Sequence, residues 1–332
     1  MNEYSTFAPH SSNVKIFDGL ESKLDIPNAH ITIGTFDGVH IGHQKIIKKL
    51  NETALENQGE SVLFTFHPHP RMVIHPQEPI ALIQTKEEKL DKLSRLGLQN
   101  VILYPFSRAF SQTPAEQFIN EFLIGTIKMK AVVIGYDHQF GKNREGSLEH
   151  FKKLSLQKHF SVEEIPAQDI DDIHVSSTKI RNALILGDIQ TANQYLGEPF
   201  QLNGIVVAGK AWGKKLGYPT ANLEISDPNK IIPRSGVYFV RCNLLFKTHF
   251  GMMNIGVRPT IDSENENKIS IEIHIFDFEN EIYGEHLQVE LLEYVRDEQK
   301  FENFEALQNQ LALDESLCRK HFTHYTLLPN SL

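Results

Sequence analysis

The spacing of apolar residues changes character once along this 332-residue chain, near residues 187 to 200, and that change limits the fold more than any other feature. Before it, short apolar runs alternate with helical patterns. The runs His30 to Gly34, Ser61 to Phe66, Val101 to Tyr104, Ala131 to Gly135 and one near Val162 predict strands. Ile41 to Asn57, Lys86 to Leu96, Ala115 to Phe122 and Leu148 to Leu156 predict the intervening helices, with Leu90, Leu93 and Leu96 at the spacing of one buried helical face. About five βα units in succession imply a parallel, doubly wound α/β sheet.

After Gly187 strands follow strands. Gly204 to Ala208, Val237 to Cys242, Ile269 to Phe276 and Leu287 to Leu292 are separated by Gly, Pro and Asn, the pattern of an antiparallel barrel or sandwich. Phe301, Phe304, Leu307 and Leu311 return to helical spacing and predict a last helix packed across it. The breakers Leu186-Gly187-Asp188 and Gly197-Glu198-Pro199 place two domains at 14–187 and 200–332. Two domains also follow from length, since one core stops growing at roughly 250 residues.

Hydrophobic residues at 40% and charged residues at 23% are the balance of a globular chain with a real core, which removes disordered and fibrous classes. A formal net charge of -9 argues against a nucleic-acid or membrane-surface partner, so an anionic ligand must be held locally. Cys242 and Cys318 have no metal-ligand spacing, the first residues lack an apolar signal core, and no apolar run approaches the roughly 20 residues a bilayer needs. A cytoplasmic location is expected.

The densest motif is Gly34-Thr35-Phe36-Asp37-Gly38-Val39-His40-Ile41-Gly42-His43, where the first strand yields to the first helix. His40 and His43, three apart, share a helix face. Gly42 removes a side chain that would hold a phosphate away, and free N–H groups at the helix start favour anions. Either histidine alone would be an ordinary surface or core residue; the pair behind a glycine-rich turn is more specific. Ser176-Ser177-Thr178-Lys179-Ile180-Arg181 reads as a cap and a first turn carrying hydroxyls and cations suited to nucleotide phosphates, although by itself it is an ordinary capped helix.

These two runs, with Thr65-Phe66-His67-Pro68-His69-Pro70 and Ile134-Gly135-Tyr136-Asp137-His138-Gln139-Phe140-Gly141, resemble in order and spacing the adenylyltransferase module of bacterial bifunctional riboflavin kinase/FAD synthetases. The resemblance implies a Rossmann-like nucleotidyltransferase domain in which the FMN phosphate attacks the α-phosphorus of ATP directly. It implies catalytic roles for His40 and His43, nucleotide contacts for Gly34, Phe36, Gly42, Asp137, Ser177, Thr178 and Arg181, and a flavin-side loop at His67, Pro68 and His69. The two loop histidines could alternatively suggest a metal pair, though a Pro-bracketed loop at a strand end fits better. Thr35 and Asp137 stand where family members often carry Asn.

The second half has its own motif. Gly204 to Leu223 couples a strand to a loop rich in glycine and lysine, with Gly209, Lys214 and Gly217 suited to a phosphate cradle. It is not a P-loop, since it lacks GxxxxGK[ST] and does not lead into a helix. Thr220 and Asn222 offer hard neutral ligands for a Mg²⁺ carried by ATP. In Ile269 to Phe276 the isoleucines occupy one strand face and leave Glu272 and His274 on the other, where a carboxylate is usually a solvated group yet can accept an alcohol's proton.

These runs, with Gly251 to Thr260 and Tyr294 to Phe301, resemble the riboflavin kinase module of the same enzymes. The resemblance implies a six-stranded barrel with a terminal helix, Mg²⁺ with ATP at Thr220 and Asn222, Glu272 as base, and Arg296, Glu298 and Phe301 near flavin. Riboflavin, FMN and FAD become the expected substrates and products. Trp212 departs from the Arg of many members. Two other readings are a nucleotidyltransferase for a different phosphate, which the appended barrel disfavours, and a flavin-sensing regulator, which would be expected to have lost a catalytic group.

Overall fold

The computed structural model describes residues 14–20, 24–78, 80–135, 138–165, 175–209, 213, 216–244, 247–258 and 268–327. It divides into two compact units at Ser177/Thr178.

The first unit is a six-stranded parallel sheet of β1 (Lys15–Asp18), β2 (His30–Ile33), β3 (Ser61–His67), β4 (Asn100–Pro105), β5 (Ala131–Gly135) and β6 (Ser161–Ile165), in the order β1-β4-β3-β2-β5-β6. The edge strand β1, only four residues long and mostly exposed, has just Ile16 and Phe17 as apolar residues, and the sequence reading had no strand there. Strands β2, β3 and β5 are almost wholly buried, as expected of parallel strands covered on both faces. Alternate residues feed two cores. Leu63, Val101, Leu103 and Val133 pack with Ile47 and Leu50 of α1 (Ile41–Glu56) and Leu93 of α3 (Lys86–Arg95). Ile31, Phe64, Ile102 and Val132 pack with Phe118 and with Phe151 of α5 (Leu148–Lys158). The short α2 (Pro70–Ile74) follows β3.

The helix expected at Ala115 to Phe122 differs in kind. After α4 (Ala115–Gln117) the chain widens into a π-helix, Phe118–Thr126, whose last turn closes with Ile127 N–H donating to the Phe122 carbonyl five residues back.

The second unit is a closed antiparallel barrel of β7 (Phe200–Val207), β8 (Ala221–Glu224), β9 (Gly236–Leu244), β10 (Lys247–Arg258), β11 (Lys268–Ile275) and β12 (His286–Arg296), in the order β10-β11-β8-β7-β12-β9. Closure leaves no free edge. Its terminal helix α8 (Phe304–Leu327) contacts β9, β10 and β12. The residues it buries fully are Asp314 and Cys318, whereas Phe304 is 59% exposed and Phe301 precedes the helix. Of the apolar positions that predicted the helix, Leu311 packs against the same cluster as Cys318.

Two helices, α6 (Ser177–Leu186) and α7 (Ile189–Leu196), join the units in sequence. Both belong to the barrel unit from Thr178 onward: Arg234 N–H donates to the Leu184 carbonyl, and Asn193 is bonded to Leu291 and Phe200. The expected domain limits leave α7 in the gap between 187 and 200 and α6 in the first domain, while the division between compact units comes before both helices. Breakers mark the ends of elements, and here the element ends are not where long-range contacts thin out.

Candidate active sites

In the first unit the chain runs from β2 to β3 and β4 on one side and crosses to β5 on the other, so β2 and β5 flank the topological switch point, where open α/β sheets bind ligands beyond the strands' carboxyl ends. The Gly34 to His43 loop leaves β2 at that point. Phe36 and Val39 hold φ of 48° and 37°, left-handed values uncommon for any side chain and strained for a β-branched one. Both are buried, at 3% and 0% exposure, so packing holds the loop in place.

His40 is the N-cap of α1, and its Nδ1 accepts the His43 backbone N–H at 3.4 Å. The two imidazoles stack with centroids 3.7 Å apart, and Phe36 stacks on His43 at 4.4 Å. A Cβ on Gly42 would lie 3.3 Å from the His40 ring. Burial, reinforced by the Lys92 charge, lowers the His40 pKa to about 4. Burial also holds His43 well below the usual histidine range, with His40, Lys92 and Lys89 adding to the effect. Both rings are neutral at pH 7. Because His40 Nδ1 accepts, its proton sits on Nε2. The His43 Nδ1 is closed to solvent and has no hydrogen-bond partner among the described residues.

Ser177, 140 residues along the chain, donates from Oγ to the Asp37 carbonyl at 2.9 Å and so fixes the start of α6 beside the loop. Thr178 is exposed and Arg181 half-buried on the same helix. Sequence reading missed the support beneath the loop. The Asp37 carboxylate, 5% exposed, accepts from the backbone N–H groups of Ile83 and Gln84. Lys89 and Lys92 of α3, 9% and 3% exposed, donate to the carbonyls of Thr35 and Gly38. A detectable signal existed: Lys89 lies four residues before Leu93 on the apolar stripe of α3.

Along the same sheet edge, a cavity of about 600 Å³ is lined by Asp18, Leu20, His67, Tyr104, Phe122 and their neighbours. Phe64, Phe66, Phe106, Phe110 and Phe118 form a connected aromatic network with Tyr104 and Phe122. These aromatics come from three separate stretches of chain, which hid the cluster from a sequence reading. His67 and Pro68 are exposed at the end of β3, and His69 caps α2 by accepting the Arg71 N–H. Asp137 lies outside the described residues.

In the barrel, Asn222 of β8 stands directly opposite Glu272 of β11, and Glu272 opposite Asn254 of β10. Directly opposed side chains share a face. Ile271, Ile273 and Ile275 are buried while Glu272 and His274 are half-buried, as the alternation predicts. The Glu272 face is also that of Met252 and Phe239, which pack with Cys318 of α8, so it is the outer face of the barrel wall.

The backbone of the glycine- and lysine-rich loop after β7 comes very close to these groups. A Cβ on Gly209 would lie 2.1 Å from the Asn222 amide nitrogen, and one on Gly213 3.2 Å from Thr220 Oγ1. Gly217 has φ +84°, and Lys214 lies outside the described residues. His274 Nδ1 shares a hydrogen bond with the Pro219 carbonyl at 2.9 Å, tying this loop to β11. The Glu298 carboxylate abuts Gly256 beside the Asn254 amide. The Arg296 guanidinium makes a bidentate pair with Asp314 of α8 at 2.8 and 2.7 Å and lies 5.9 Å from the Phe301 ring centre. Asn254 is a site neighbour that sequence reading did not single out.

Two family models match consecutive parts of the chain: FAD synthetase over residues 23–179 and riboflavin kinase over residues 196–322. Proteins named bifunctional riboflavin kinase/FMN adenylyltransferase are similar over nearly the whole length. That of Listeria monocytogenes is 33% identical over 296 residues, 89% of this chain and 93% of its own. That of Bacillus subtilis is 32% identical over 295 residues, 89% and 92%, and that of Escherichia coli 31% over 312 residues, 93% and 98%. A solved Streptococcus pneumoniae chain described as a macrolide-efflux protein aligns with TM-score 0.81 at 30% identity, covering 92% of this chain and 98% of that one. Among the described residues no helix is long and apolar enough to cross a membrane. With both family models matched in order and relatives above 30% identity end to end, the chain belongs to the bifunctional riboflavin kinase/FMN adenylyltransferase family.

Proposed function

We infer that this chain makes both flavin coenzymes. Its barrel transfers the γ-phosphoryl group of ATP to riboflavin, giving FMN and ADP; its sheet domain transfers the adenylyl group of ATP to FMN, giving FAD and diphosphate. The observation that carries this reading is the presence, in one chain, of a stacked pair of neutral histidines at the switch point of a FAD synthetase domain and a Glu272–Asn222 pair on the wall of a riboflavin kinase barrel.

In adenylylation an FMN phosphate oxygen forms a bond to the α-phosphorus of ATP, and the bond to the β-phosphate breaks with its electron pair leaving on diphosphate. His40 and His43, neutral, donate N–H to the phosphoryl oxygens as charge grows there. Gly34, Phe36 and Gly42 shape the loop around them and Ser177 adds a hydroxyl, while the nucleotide-binding roles for Thr178 and Arg181 rest on the family resemblance. The aromatic-lined cavity beside His67, Pro68 and His69 accepts the flavin ring, whose flat face stacks on such side chains. The polar role for Asp137 rests on the family resemblance.

In phosphorylation the terminal ribityl oxygen attacks the γ-phosphorus, ADP leaves, and Glu272 accepts the hydroxyl proton. Gly209, Lys214 and Gly217 belong to the loop that cradles the phosphates. Thr220 and Asn222 are hard neutral oxygen donors beneath a backbone that leaves no room for a side chain at Gly209, a donor set that fits Mg²⁺. When bound with ATP, that ion neutralises phosphate charge. Glu298 and Phe301 border the flavin, with Arg296 held in place by Asp314. The two thiols, Cys242 and Cys318, are buried and free, which suits a reducing cytoplasm.

The test is to supply purified protein with riboflavin, ATP and Mg²⁺ and resolve products by chromatography. FMN followed by FAD is expected. FMN without FAD, even when FMN is supplied, would overturn the adenylylation reading. Unchanged riboflavin would favour a flavin-binding regulator.

A further inference from the structure

Among the described residues Lys89 is a charged side chain without an ion pair. It is 9% exposed, and its ammonium donates to the Thr35 carbonyl and to Thr65 Oγ1, both at 3.3 Å. Thr65 Oγ1 in turn donates to the same carbonyl at 3.2 Å. An ammonium has three N–H donors, and among the described residues Lys89 uses two, both on neutral acceptors. Taking such a charge out of water is costly unless an anion compensates. The nearby Asp37 carboxylate is held by the Ile83 and Gln84 amides and acts on Lys89 from a distance. Burial lowers the Lys89 pKa to about 8, with Asp37 partly opposing. The charged and titratable groups coupled to this ammonium are Asp37 on the loop after β2 and His43 on α1, on which Lys92 of α3 also acts; on β3 its contact is Thr65.

A folded core has little reason to keep that cost, since a methionine would fill the same space. The adenylylation site does have one. Its histidine pair is neutral and contributes donors but no net charge, while ATP brings a strongly anionic triphosphate to the same loop.

We propose that Lys89 is a positioning residue for adenylyl transfer: its ammonium anchors Thr35, setting the path of the loop that presents His40 and His43, and supplies the positive field that steadies the ATP phosphates there. Lys89 acts through the loop and forms no bond in the reaction. This role rests on the adenylylation reading above and assigns a source for the charge that the histidines lack.

The experiment measures FAD formation from supplied FMN and ATP between about pH 6 and about pH 10 for the full-length wild type, Lys89→Met, Lys89→Arg and Thr65→Val, with thermal unfolding as the folding control. For the wild type, kcat/KM for ATP should fall as pH rises through about 8, where the ammonium loses its charge. Lys89→Met should be lower at neutral pH by on the order of 10²-fold and lack the alkaline decline. Lys89→Arg keeps a charge that does not titrate, so it should recover much of the activity at neutral pH and also lack the decline. Riboflavin phosphorylation should be the same in all four proteins.

If Lys89→Met does not fold, Thr65→Val serves, because removing an acceptor from the ammonium should move the alkaline decline to lower pH. A folded Lys89→Met within about threefold of wild type, a decline that persists in it, or an unmoved decline in Thr65→Val would overturn this role. A wild-type protein that makes no FAD would overturn the adenylylation reading itself, and this role with it.

Discussion

His40 caps α1 with the nitrogen that a proton would occupy, so its charge state and the start of the helix are linked. Its folded pKa of about 4 lies below the ordinary 6.5, so between those values the unfolded chain binds the proton and the folded chain does not. Stability is therefore fully present above pH 6.5 and is lost as pH falls toward 4. The gap corresponds to on the order of 3 kcal/mol, and the urea midpoint for loss of FAD formation should fall between pH 7 and pH 5. A midpoint unchanged over that range would contradict a buried neutral His40. Glu272 gives a residue-level test in the other domain. Glu272→Gln keeps size and one acceptor but accepts a proton poorly, so kcat for FMN formation should fall by roughly 10²- to 10⁴-fold with little change in substrate binding. A rate within about threefold of wild type in a folded variant would remove Glu272 as an essential base.

At the scale of elements, α8 does more than cover apolar surface. Asp314 is fully buried and paired with Arg296 at the end of β12, Gln308 donates to the Leu216 carbonyl in the glycine- and lysine-rich loop before β8, and Arg319 reaches Asp277 after β11. One helix thus holds three segments around the proposed kinase site. Asp314→Ala leaves the 16%-exposed Arg296 guanidinium without its partner, a loss that typically costs about 3–5 kcal/mol. The thermal midpoint of the barrel should drop by about 10 °C, and FMN formation should fail first on warming, while FAD formation from supplied FMN persists. Calorimetry with both assays checks this; an unshifted barrel transition would mean that the pair adds no stability.

At the scale of the whole molecule, each group of proposed catalytic residues lies in a unit with its own core: His40 and His43 in the sheet domain, Glu272 and Asn222 in the barrel. Chemistry should separate accordingly. His43→Ala is expected to lower FAD formation by about 10²- to 10³-fold with riboflavin phosphorylation intact, and Asn222→Ala to do the converse. Loss of both activities from either change in a folded protein would refute two independent sites.

The sequence by itself determined the two fold classes, the strands and helices of long clear period, and the chemistry-bearing runs, because each is a local matter of spacing and residue type. Gly34 to His43 and the Glu272 alternation were legible for that reason. What only the tertiary structure decided depends on residues distant along the chain: the short edge strand β1, the assignment of α6 and α7 to the barrel unit, the aromatic network beside the cavity, and the Asn222–Glu272–Asn254 row across three strands. Lys89 and Lys92 mark the limit most plainly. Spacing puts Lys89 on the apolar stripe of α3, but only the packing of that helix against the Gly34 to His43 loop makes both lysines buried cations, since burial is a property of what surrounds a residue rather than of the residue.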